Sequence, residues 1–92
     1  MATLQCELDA AVRILRAHGA RSVYLFGSAL NPSAQTRDLD IGCEGLPPEK
    51  FFMVLAELSR TLSRDVDLVA LEDDHPRVRV IRKRARVLYD AG

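Results

Sequence analysis

The chain has little of several things, and each shortage excludes something. Two cysteines in 92 residues, Cys6 and Cys43, form neither a disulfide framework nor a CxxC pair, and such usage suits a reducing cytoplasm. Two histidines, His18 and His75, do not furnish a His-rich zinc site. Neither sign of charge predominates: 13 Lys and Arg balance 13 Asp and Glu, which argues against a globally basic nucleic-acid binder. Five aromatic residues (Tyr24, Phe26, Phe51, Phe52, Tyr89) offer few platforms for base stacking. No apolar run approaches the roughly 20 residues needed to span a bilayer. The opening Met1-Ala2-Thr3-Leu4-Gln5-Cys6-Glu7 lacks the basic-then-apolar order of a secretory signal. With 48% hydrophobic and 28% charged residues a core is attainable. The expectation is one cytoplasmic domain over 1–92, with no membrane association.

The neutral total conceals an asymmetry. Residues 1–46 carry a net −1, residues 47–76 a net −4 and residues 77–92 a net +5. The basic tail (Arg77, Arg79, Arg82, Lys83, Arg84, Arg86) can meet a polyanion or an acidic partner, or simply face water.

Periodicity supplies the elements. Leu4, Leu8, Ala11, Val12 and Leu15 recur at helical spacing, with Thr3 as N-cap and Gly19 as terminator, and Cys6 is expected to pack near this stripe. Ser22–Phe26 is β-branched and aromatic, a buried strand ending at Gly27. Asn31-Pro32-Ser33 marks a loop, and 37–43 alternates as a half-buried strand with Leu39 and Ile41 opposite Asp38 and Asp40. Pro48 suits the first turn of a helix to about Ser63, with Phe51, Phe52, Leu55, Leu58 and Leu62 as its buried stripe. Val66–Leu71 is a third strand. Asp73 or Asp74 caps a helix from Pro76 that buries Val78 and Ile81, and Arg86–Tyr89 is a short edge strand. The order αββαβαβ reads as an α/β (α+β) fold: a small mixed sheet with helices packed on it.

Three features carry chemistry. Gly27-Ser28 directly follows a buried strand, where backbone N–H groups and a hydroxyl can approach a phosphate. Asp38-Leu39-Asp40 places two carboxylates on the same strand face. Asp67 interrupts the apolar run Val66–Val69, where a charge calls for a partner or a cation. Taken singly, these read as an ordinary turn, two solvated acids and an edge-strand charge. Together they read as an anionic, oxygen-rich cluster of the kind Mg²⁺ or Mn²⁺ prefers. Two such ions about 4 Å apart activate an attacking hydroxyl and stabilise departing pyrophosphate.

In this order the motifs resemble the minimal nucleotidyltransferases of the DNA polymerase β superfamily. The matching residues are Leu25-Phe26-Gly27-Ser28, a nine-residue spacer, Asp38-Leu39-Asp40-Ile41, Val66-Asp67-Leu68-Val69 and the closing Val87-Leu88-Tyr89. The resemblance covers nearly the whole chain. It implies that Gly27 and Ser28 hold the triphosphate of ATP and that Asp38 and Asp40 bind two Mg²⁺ or Mn²⁺ ions. It also implies that Asp67 completes one metal site and helps deprotonate the acceptor. The residue before the first Asp is often Ser in the family and is Arg37 here, placed to contact phosphate or to face water.

The resemblance further implies a partner. Minimal nucleotidyltransferases are commonly paired with a small helical HEPN protein, as antitoxin and toxin, and can transfer AMP to a toxin tyrosine. Two other readings stand beside this one. The acceptor can be a nucleic-acid end or a small molecule, although nucleic acid is disfavoured by neutrality and few aromatics. Alternatively the chain is a non-catalytic module that neutralises by occlusion, against which three clustered carboxylates weigh. The sequence leaves homo-oligomerisation open.

Overall fold

A computed structural model describes residues 3–26, 38–72 and 76–91, the side chains of Arg77 and Arg82 excepted. Its elements are α1 (Leu4–Ala17), β1 (Ser22–Phe26), β2 (Asp38–Glu44), a 3₁₀ turn (Pro48–Lys50), α2 (Phe51–Thr61), β3 (Asp65–Ala70), α3 (Pro76–Arg84) and β4 (Arg86–Asp90). This is the order the sequence predicts.

The caps of α1 are those read from the sequence. Thr3 Oγ1 accepts the Cys6 N–H at 3.1 Å, relieving one of the donors that a helix start leaves unpaired. Gly19, at φ +106°, turns the chain out of α1 in the left-handed region that other residues avoid. His18 Nε2 lies 3.0 Å from Glu57 Oε2 and ties the end of α1 to α2.

The four strands are ordered β3-β2-β1-β4. β1 is antiparallel to both β2 and β4, whereas β2 and β3 run parallel. The parallel step requires a crossover, which α2 provides. Leu39, Ile41, Cys43, Val23, Leu25 and Leu68 point to one face and form the main core with Leu8, Ala11, Leu15, Val54 and Leu58 of α1 and α2. A smaller cluster lies on the opposite face, where Val78 and Ile81 of α3 cover Phe26 and Leu71.

Two packing expectations are corrected. Phe52 is 79% exposed. The buried stripe of α2 runs through Val54 and Leu58, flanked by half-buried Phe51 and Leu55, and one residue's 100° rotation carries Phe52 off it. Cys6 is exposed, not packed. Asp67 is exposed on β3, the outermost strand among the described residues, in keeping with the edge-strand reading. Asp73, Asp74 and His75 lie outside the described residues.

One buried charge was not anticipated. Glu7 in α1 is 3% exposed. Its carboxylate accepts the Ser63 backbone N–H at 2.7 Å, accepts the Ser63 hydroxyl and pairs with Arg64. These two residues immediately precede β3, so α1 holds the start of that strand.

Candidate active site

Strand register assembles the acidic row. Phe26 of β1 is opposite Asp40 of β2, and Asp40 is opposite Asp67 of β3. Adjacent strands lie about 4.8 Å apart, and residues in register share a face. Asp38 lies two residues from Asp40 and so projects from that same face. The three carboxylates named from the sequence therefore occupy neighbouring positions at one end of the sheet, where β1 ends and β2 and β3 begin. Gly27, Ser28 and Arg37, the expected triphosphate contacts, lie outside the described residues.

The register adds a residue that sequence reasoning missed. Asp65 is opposite Asp38, giving a fourth carboxylate on this face. Its signal was available: Asp65-Val66-Asp67 repeats the two-residue spacing of Asp38-Leu39-Asp40. Asp38, Asp65 and Asp67 are exposed and Asp40 is half-buried, so water or a ligand can reach the row.

Among the described residues, no three His, Cys, Asp or Glu side chains form a group that could hold a metal ion. Backbone pairing brings the strands together, but like charges at neighbouring positions repel, and a cation has to offset that repulsion for the oxygens to converge.

The hydrophobic surroundings hold the row in place. Leu39 and Ile41 are fully buried on the core side of β2, so a slip of one residue would exchange carboxylates for core side chains. Gly42, two residues beyond Asp40, gives the Leu71 side chain room against the sheet: a Cβ there would lie 2.7 Å from Leu71 Cδ1. The far end of this face is tied by Glu44, which accepts from Ser22 Oγ at 2.9 Å and Tyr24 OH at 3.1 Å.

Cys43 faces the core. Burial, reinforced by Glu72 and Glu44, pushes its thiol up to about 11. A thiol held protonated this way is a packing group rather than a nucleophile. Among the described residues no helix is long and apolar enough to cross a membrane.

No protein-family model matches the sequence, and no curated protein matches it significantly. Solved structures do. A toxin–antitoxin crystal structure with AMP-PNP superposes with a TM-score of 0.76 at 22% identity, over 90% of this chain and 73% of that one. A structure of tri-AMPylated Shewanella oneidensis HEPN toxin in complex with MNT antitoxin gives a TM-score of 0.76 at 22% identity, over 96% and 73%. A MntA–HepT toxin–antitoxin structure gives 0.73 at 22% identity, over 94% and 72%. The mixed four-stranded sheet and its helices thus share the fold of chains in these toxin–antitoxin structures.

Proposed function

We propose that this chain is a metal-dependent nucleotidyltransferase that moves AMP from ATP to a hydroxyl of a protein partner, and that it serves as the antitoxin of a HEPN/MNT pair in the cytoplasm. The observation that carries the reading is the register Asp40–Asp67, with Asp38 on the same face. Sequence motifs alone cannot supply that neighbourhood. The fold likeness supports it, since one similar structure contains AMP-PNP and another an AMPylated HEPN toxin.

The donor set fits the implied ions. It consists of carboxylate oxygens, which suit Mg²⁺ or Mn²⁺ over softer metals. Asp38 and Asp40 would hold two ions, with Asp67 completing one site. When bound, such ions neutralise phosphate charge and lower the pKa of the acceptor hydroxyl. The acceptor oxygen bonds to the α-phosphorus of ATP, the bond to the β-phosphate oxygen breaks, and pyrophosphate leaves. Asp67, exposed on β3, receives the hydroxyl proton. Gly27, Ser28 and Arg37 hold the triphosphate in this proposal. A tyrosine of the HEPN partner is the acceptor.

The test is label transfer from α-labelled ATP, with Mg²⁺, to a co-purified HEPN partner. Asp40→Asn should lower transfer by several orders of magnitude, since a metal ligand is lost. Neutralisation of the toxin that persists in Asp40→Asn without label would instead establish occlusion.

A further inference from the structure

The start of β3 is where like charges meet. Two of the first three pairs in its ladder with β2 set carboxylate against carboxylate, Asp38 with Asp65 and Asp40 with Asp67. Like charges directly opposite one another weaken a ladder. The apolar pattern of β3 does not fully fix its register either. A slip of one residue would turn Asp67 toward the core, but a slip of two would leave every side chain on its own face. Val66, Leu68 and Ala70 would then exchange places, while Asp67, moved by about 7 Å, would leave Asp40.

The two ends of β3 are held differently. At the far end Leu71 sits against Gly42, its N–H donates to the Cys43 carbonyl at 2.9 Å, and Glu72 accepts the Gly45 N–H at 2.9 Å. At the end by the acidic row the hold comes from α1. Glu7 accepts the Ser63 N–H at 2.7 Å, accepts the Ser63 hydroxyl and pairs with Arg64, and the next residue, Asp65, is the first of β3. Glu7 is itself fixed: its N–H donates to the Thr3 carbonyl at 3.1 Å, and the adjacent Leu8 is packed into the main core.

We propose that Glu7 is a positioning residue of the candidate active site. It holds the start of β3 against the repulsion within the row, so that Asp65 and Asp67 stand beside Asp38 and Asp40 before a cation arrives. α1 packs on the opposite face of the sheet from the carboxylates, so Glu7 acts through Ser63 and Arg64 and not by ligation. A buried carboxylate suits the task, because releasing the strand would strand its charge and the donors it serves. A site held in place beforehand binds its ligand more tightly than one the ligand must assemble. The role rests on the proposed function for the divalent cation alone and not for AMP transfer.

The experiment measures Mn²⁺ binding to the full chain by electron paramagnetic resonance of the free ion, and amide hydrogen exchange without metal. Val23→Ala, in a fully buried side chain at the far end of β1, is the control for lost stability. Glu7→Ala should weaken the Mn²⁺ dissociation constant at least tenfold, as loss of a residue that orients a metal ligand does. Glu7→Gln, which keeps an acceptor for Ser63, should weaken it by about threefold and decides the matter if Glu7→Ala fails to fold. Val23→Ala should leave it within about twofold. Exchange in the Glu7 variants should quicken at Asp65–Asp67 more than at Val69–Ala70. Equal weakening in Val23→Ala, unchanged Mn²⁺ affinity in the Glu7 variants, or exchange that quickens evenly along β3 would overturn the assignment. An unsubstituted chain that takes up no Mn²⁺ retires the metal-dependent reading, whereas faster exchange confined to Asp65–Asp67 would leave the hold of Glu7 on β3 standing.

Discussion

Removing the Glu7 carboxylate should damage this protein more than its place in an amphipathic helix suggests. Glu7→Ala deprives the Ser63 N–H, the Ser63 hydroxyl and the Arg64 guanidinium of a shared acceptor that is 3% exposed. Hydrogen bonds to charged groups are worth about 1.5–3 kcal/mol each, and breaking a buried ion pair from one side costs about 3–5 kcal/mol. The Arg64 side chain is 23% exposed, so water recovers part of the loss, and about 3 kcal/mol is expected. Against a total of roughly 5–10 kcal/mol for a chain this small, that is a large fraction. It corresponds to a fall in melting temperature of about 12–24 °C. Urea unfolding followed by far-ultraviolet circular dichroism measures it, with a lowered midpoint and an unchanged slope. Glu7→Gln keeps an acceptor for Ser63 but loses the charge, so it should cost about half as much. Because Ser63 and Arg64 lead directly into β3, surviving folded Glu7→Ala should also transfer AMP more slowly through displacement of Asp67. A loss below about 1 kcal/mol for Glu7→Ala would show that the buried contact does not anchor the strand.

Other outcomes follow from single residues. Gly42→Ala should cost about 1–3 kcal/mol in urea unfolding, because the new Cβ would lie 2.7 Å from Leu71 Cδ1 in a side chain that is 1% exposed. An aromatic disulfide reagent should modify exposed Cys6 rapidly in the folded protein, and buried Cys43 only on unfolding. The folded state keeps the Cys43 proton to about pH 11, against 9.0 for the free thiol. Its contribution is therefore fully present below about pH 9 and lost as pH rises through 11, amounting to about 2–3 kcal/mol. Cys43→Ala should flatten that part of the stability–pH curve relative to the unsubstituted chain.

Much of the architecture was legible because local chemistry agreed with the final packing. Thr3 and Gly19 delimit α1 as capping rules require, and the alternation read at 37–43 assigns Leu39 and Ile41 to the core and Asp38 and Asp40 to the other face of β2. Where local signals failed, tertiary placement had overridden them. Phe52 is apolar, but the face of α2 that meets the sheet passes through Val54 and Leu58. Glu7 is charged, but the turn before β3 brings it two donors and a cation.

Side-chain type and two-residue spacing were enough to single out Asp38 and Asp40, since a strand must present alternate residues to one side, and Asp67 was singled out as a charge inside the apolar run Val66–Val69. Their becoming neighbours was decided by the parallel pairing of β2 with β3, contacts 27 residues apart that no local pattern encodes. The same pairing brought Asp65 alongside Asp38. Composition and periodicity act along the chain, whereas register and edges exist only once the hydrophobic faces of the helices and strands have been buried against one another.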